Sequence, residues 1–155
     1  MRKALVEVRI LPMNFQKEFK KSYKTLAGLQ NYFFRKERFR NNRRKVDGEY
    51  WYRQSGLNAR PGTMVLFQCV GSIVGRAKVI QEPVPFNPPR CGVYKGALFF
   101  KPETIKVFYP PVAAKIVRAV WPRFQRFNQT KQYLEPSTRY WKFEQRLKAK
   151  RVRII

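Results

Sequence analysis

Arg60-Pro61-Gly62-Thr63-Met64-Val65-Leu66-Phe67-Gln68-Cys69-Val70-Gly71-Ser72-Ile73-Val74-Gly75-Arg76-Ala77-Lys78-Val79-Ile80 is the stretch whose reading decides the fold. It spells a turn, a strand, a tight turn and a second strand. Proline presets φ and glycine accepts a positive φ, so Pro61-Gly62 makes the first turn. Residues 64–70 are apolar and rich in strand formers, apart from Gln68. Gly71-Ser72 has the length and chemistry of a two-residue hairpin loop. Beyond it, Ile73, Gly75, Ala77 and Val79 alternate with Val74, Arg76, Lys78 and Ile80. That alternation predicts one small apolar face and one partly basic face. Gly75 and Ala77 leave room for another backbone or a ligand; the plainer reading is relief of packing in a curved sheet.

On the N-terminal side of the hairpin, Tyr50-Trp51-Tyr52-Arg53-Gln54 sets three aromatics in a row. In an extended segment they cannot all face one core, so at least one is expected at a surface or a pocket wall. Trp51 is the candidate for ligand contact; core packing accounts for two of the three. Before them comes the densest charge run, Arg35, Lys36, Arg38, Arg40, Arg43, Arg44 and Lys45, with Asn41 and Asn42 inside it. Such a run is commonly a solvated face, but on this chain it is expected to meet phosphate. Earlier still, Asn14 is a candidate N-cap, and Phe15, Phe19, Tyr23 and Leu26 recur at helical spacing, with Gly28 expected to interrupt the helix. Residues 4–11 read as a strand with Val6, Val8 and Ile10 on one face and Glu7 and Arg9 on the other.

On the C-terminal side, residues 81–90 carry Pro83, Pro85, Pro88 and Pro89 and read as a long irregular loop that residues 91–96 continue. Residues 97–100 and 104–109 read as strands. Pro110-Pro111 is expected to open a short helix over 112–120, ended by Trp121-Pro122. Residues 123–130 interleave cations for phosphate, aromatics for stacking and amides for base edges. Residues 131–134 suggest a last strand. A final helix follows, with Tyr140, Phe143 and Leu147 on one face and Lys142, Arg146, Lys148, Lys150, Arg151 and Arg153 making its end basic.

The 155 residues suggest one domain, and 44% hydrophobic content fits a globular core. Lys and Arg number 34 against 9 for Asp and Glu, a net charge of +25. A body so charged repels itself unless an anion is present; nucleic acid is the commonest such partner and an anionic membrane surface the second. No apolar run approaches the roughly 20 residues of a spanning helix, and Glu7 and Arg9 interrupt what begins like a signal peptide. Cys69 and Cys91 are too few for a disulfide framework, so a reduced, cytoplasmic protein is expected. Histidine is absent, which removes Ser-His triads, His-based acid-base catalysis and most catalytic zinc sites. Among the acids only Asp47 and Glu49 stand close in sequence, so no two-metal centre is declared. No catalytic residue, metal or cofactor is expected.

The order of strand, helix, hairpin, loop, two strands, short helix, strand and helix resembles the PUA-like superfamily, and within it the EVE-type branch. The resemblance rests on Pro61-Gly62-Thr63-Met64-Val65-Leu66-Phe67 and Ile73-Val74-Gly75-Arg76-Ala77-Lys78-Val79, with Tyr50-Trp51-Tyr52-Arg53 in the place of an aromatic and arginine-bearing stretch. Thr63 stands where such domains usually have an acid. The resemblance implies an α+β fold: a small curved β-barrel flanked by helices, with a basic N-terminal helical region and a basic C-terminal helix or tail. Residues 1–155 would form one such domain, with a basic insertion at about 35–47 and a basic tail at about 142–155.

Such domains bind RNA or recognise a modified base, beside the barrel and near the segment before the hairpin. Carried over, this makes Trp51, Tyr52, Arg53, Ser55 and Asn58 the base-binding set, Trp51 stacking and Ser55 or Asn58 meeting the polar edge. The phosphate set comprises Arg35, Lys36, Arg38, Arg40, Arg43, Arg44, Lys45, Arg123, Arg126, Lys148, Lys150, Arg151 and Arg153. The expected function is a non-enzymatic module binding RNA or DNA, with no membrane partner. The alternative is a basic structural subunit of a ribonucleoprotein or restriction/defence complex, with no base pocket.

Overall fold

The computed structural model describes residues 7–13, 25, 27–28, 48–52, 59–130 and 132–155. The hairpin forms from β3 (Met64–Cys69) and β4 (Ser72–Lys78). Its turn is Val70-Gly71, one position before the expected pair. Val70 has φ 47° and Gly71 φ 71°, the two positive values a type I′ turn requires. Ser72 is free to pair with Cys69. The expected alternation is also broken. Gln68 pairs with Ile73 and Phe67 with Gly75, so Val74 is the extra residue of a bulge. Ile73 therefore joins a core with Leu66, while Val74, Ala77 and Val79 join another with Val65 and Phe67. The small residues Gly75 and Ala77 are both buried, and Gly75 directly follows the bulge.

The remaining strands are β1 (Val8–Pro12), β2 (Glu49–Tyr52), β5 (Val84–Arg90), β6 (Tyr94–Phe99), β7 (Lys106–Ala113), β8 (Gln132–Tyr133) and β9 (Arg153–Ile154). Six strands form one sheet in the order β8-β1-β3-β4-β7-β9, and three form another in the order β2-β6-β5. Among the described residues only β1 and β3 run parallel. The sheets are stitched at one corner, where Val79 pairs with Phe100 and the Phe100 N–H donates to the Gly48 carbonyl at 2.8 Å. Gly48 suits that corner: its φ is 87°, and a Cβ there would run into the Phe100 carbonyl.

The fold is thus mixed α+β, built on two open sheets rather than the expected closed barrel. The open edges have a physical cause. β8 and β9 are two residues each, and β5 carries Pro85, Pro88 and Pro89, which offer no N–H to a further strand. This also corrects the reading of residues 81–96 as loop: Val84–Arg90 form a largely exposed edge strand, and residues 94–96 already belong to β6. Pro110-Pro111 likewise lies inside β7, and the helix that follows, α1 (Ala114–Val120), begins only after Ala113.

Two cores flank the six-stranded sheet. Tyr50, Tyr52, Phe67 and Phe100 fill the space toward the smaller sheet. Ile10, Leu66, Phe108 and Trp121 meet α2 (Tyr140–Ala149) on the other side. The expected stripe of Tyr140, Phe143 and Leu147 is wholly buried there. At the end of α2, Val152 N–H bonds to the Leu147 carbonyl at 2.8 Å and Arg151 N–H to that of Lys148 at 3.0 Å, a Schellman closure with Arg151 at φ 61°. It reverses the chain so that β9 can pair with β7.

Of the expected N-terminal helices only Thr25, Ala27 and Gly28 are described; Ala27 and Gly28 are themselves helical. The basic run at 35–47 lies outside the described residues. Among the described residues no helix is long and apolar enough to cross a membrane.

Candidate nucleic-acid interface

The segment after α1 is tied down at several points. Trp121 donates its backbone N–H to the Val117 carbonyl at 2.9 Å and its indole Nε1–H to the Pro136 carbonyl at 3.0 Å. Gln68 Nε2 donates to the Asn128 carbonyl at 2.9 Å, and Arg118 to that of Gln125 at 2.6 Å. Phe124 is buried beneath. The coil is therefore fixed, while Arg123, Gln125, Arg126, Asn128 and Gln129 face solvent.

Between this coil, β8 and the start of β1 opens a cleft of about 720 Å³, lined among others by Arg60, Arg123, Tyr133, Arg139, Glu7 and Glu135. Glu7 is already engaged: Arg60 lies 3.4 Å from it and Thr63 Oγ1 donates to it at 3.0 Å. Arg139 stands at the start of α2 and donates to the Val120 carbonyl at 3.1 Å. It also lines a second groove of about 560 Å³ between α1 and α2, together with Lys142 and Arg146. Spacings of three and four residues put Arg139, Lys142 and Arg146 on one helix face. Cleft and groove thus meet at Arg139, and together they present five cations against two carboxylates.

Beneath the groove, Arg76 reaches from β4 to Glu144 of α2 at 3.2 Å and donates to the Thr104 carbonyl at 2.7 Å. This pair is buried. The Tyr140 hydroxyl is wholly buried too; burial holds its pKa well above the ordinary value, the Arg76 charge pulls it down and the Glu144 carboxylate adds to the rise. Arg9, expected on the polar face of β1, is 1% exposed because both sides of the strand are covered. Burial lowers its pKa, while Tyr133 and Glu7 oppose that shift.

The proposed base-binding set divides. Trp51 is 4% exposed and faces away from Tyr50 and Tyr52, covered by Phe86 and Tyr94 at ring distances of 5.4 and 5.5 Å. All three consecutive aromatics are buried, because the face opposite the core is covered as well. Tyr52 lies across Gly96, where a Cβ would strike its hydroxyl. Arg53, Ser55 and Asn58 lie outside the described residues, as do Arg35, Lys36, Arg38, Arg40, Arg43, Arg44 and Lys45. Of the remaining phosphate candidates, Arg123 lines the cleft. Arg126, Lys148, Lys150, Arg151 and Arg153 are exposed but line neither hollow. Reading the sequence for sites missed Arg60 and Arg139 and left Lys142 and Arg146 unassigned. The helical spacing of the last three was available as a signal; the approach of Arg60 to Arg123 depends on the fold.

Cys69 is buried and Cys91 exposed, both as free thiols. Among the described residues no group of three or more His, Cys, Asp or Glu side chains is placed to hold a metal ion.

A solved structure of a serine-to-alanine variant of ZmASCH, an ASCH protein of Zymomonas mobilis, is similar to this chain with a TM-score of 0.50 at 12% identity, covering 92% of this chain and 98% of that one. A tyrosine-to-phenylalanine variant of the same protein gives 0.46 at 11% identity over 90% and 97%. No family model and no curated protein matches the sequence. The first likeness is one of fold alone.

Proposed function

We propose that this chain is a nucleic-acid-binding module that grips a phosphate backbone along Arg60, Arg123, Arg139, Lys142 and Arg146. One observation carries the reading: Arg139 belongs to both hollows, so the cations form a continuous concave track on a chain of net charge +25. Phosphates spaced along a strand suit such a track, because each neutralised phosphate releases condensed counterions. The likeness in fold to an ASCH protein supports the same reading. An anionic membrane would favour an apolar face beside the cations. The exposed aliphatic residues Val70, Ile80, Val84 and Val93 line neither hollow, which leaves Tyr133 as the single exposed large hydrophobic beside the cations among the described residues.

The finer parts belong to the same proposal. They are membership of the EVE-type branch, binding without catalysis, and recognition of an unstacked or modified base. Base recognition needs an accessible aromatic face, and Trp51 is covered on its own side of the sheet.

The test is fluorescence anisotropy with labelled RNA and DNA oligonucleotides. Replacing Arg123, Arg139 and Arg146 by Gln together is expected to weaken binding by about tenfold or more at moderate salt, with the melting temperature nearly unchanged. Undiminished affinity in that variant would move the contact elsewhere.

A further inference from the structure

Tyr133 is the one large aromatic with high exposure among the described residues, at 47%. It sits on the two-residue edge strand β8, directly opposite Arg9 of β1. Its ring is backed by the Arg9 guanidinium, whose carbon lies 5.8 Å from the ring centroid. An exposed tyrosine on an edge strand is ordinarily just a solvated side chain. This one lines the large cleft and also a smaller hollow that Arg123 shares.

Resting on the phosphate-track reading, we infer that this cleft takes an unpaired base of a single-stranded nucleic acid, stacked on Tyr133. Its volume of about 720 Å³ falls within the range of roughly 300–1,000 Å³ that ligand sites occupy. Arg9 holds the ring in place before the ligand arrives, which lowers the ordering cost of stacking. The acids sort the parts of a nucleotide. Glu135 repels a phosphate from the interior but accepts hydrogen bonds from exocyclic amino groups of a base, while Glu7 stays held by Arg60 and Thr63. Arg123, Arg139 and the remaining donors of Arg60 are left for the flanking phosphates. A base within a duplex has both faces stacked, so only an unpaired base can offer one to Tyr133.

The experiment compares Tyr133→Ala, Tyr133→Leu and Tyr133→Phe in the full chain, using an adenine- and cytosine-containing single strand and a duplex of equal length. Loss of stacking is expected to weaken single-strand binding by about 5- to 150-fold in the Ala and Leu variants. The Phe variant should stay within about twofold of the parent, because it keeps the π-face. Duplex affinity and melting temperature should change little. The Leu variant keeps bulk on β8, so it reads stacking even if the Ala variant folds poorly. Unchanged single-strand binding, or equal losses on both substrates, overturns the inference and leaves the phosphate track standing. A parent protein that binds neither polymer overturns both.

Discussion

Trp51 buries its indole on the face of the smaller sheet turned away from Tyr50 and Tyr52. Phe86 and Tyr94 meet it edge-on, and the Arg90 guanidinium lies 5.4 Å from its ring and 4.0 Å from that of Phe86. A tryptophan so enclosed is a packing residue. Trp51→Ala is expected to cost about 3–5 kcal/mol and to lower the melting temperature clearly; a near-native melt would free the ring for another role. Alternation along the strand was enough to show that the three aromatics divide between two faces. It was not enough to show the second face covered, because the cover comes from Phe86 of the proline-rich β5 and Tyr94 of β6, both in a stretch that reads as a loop. The positive φ at Val70 and Arg151 was equally illegible: neither residue type announces a left-handed backbone, and each is held there by the hydrogen bonds around it.

At the scale of elements, the hairpin and the last helix were legible because their apolar periodicity is strong. The hairpin, however, hid a bulge at Val74 that splits its face between two cores. Prolines misled in the other direction: they mark loops and helix starts on average, yet here they occupy β5 and β7. Helix α2 is fastened to β4 by a pair whose acid half, Glu144, stands four residues after Tyr140 and three before Leu147, within the buried stripe. Both partners are buried, so removing one leaves an uncompensated charge. Glu144→Ala is expected to destabilise the fold by about 3–5 kcal/mol. The measurement is chemical denaturation at neutral pH, and a loss well under 1 kcal/mol would show the pair to be solvated. Because α2 carries Lys142 and Arg146 and is capped by Arg139, the same variant should also perturb the groove they line.

Across the whole molecule, net charge was the most legible property and its arrangement the least. Composition alone argued for a polyanionic partner. The track itself joins residues from the turn before β3, the coil after α1 and the face of α2, and only the fold brings these together. The central claim is that these cations contact phosphates, and the salt dependence of binding tests it most directly. For the intact chain on a single strand, log Kobs should fall linearly with log salt, with a slope of about −0.7 for each phosphate neutralised. Neutralising Arg123, Arg139 and Arg146 together should flatten that slope by about 2 if each meets a phosphate. The same slope in parent and variant would contradict the account, assigning these arginines to solvent and the binding to another surface.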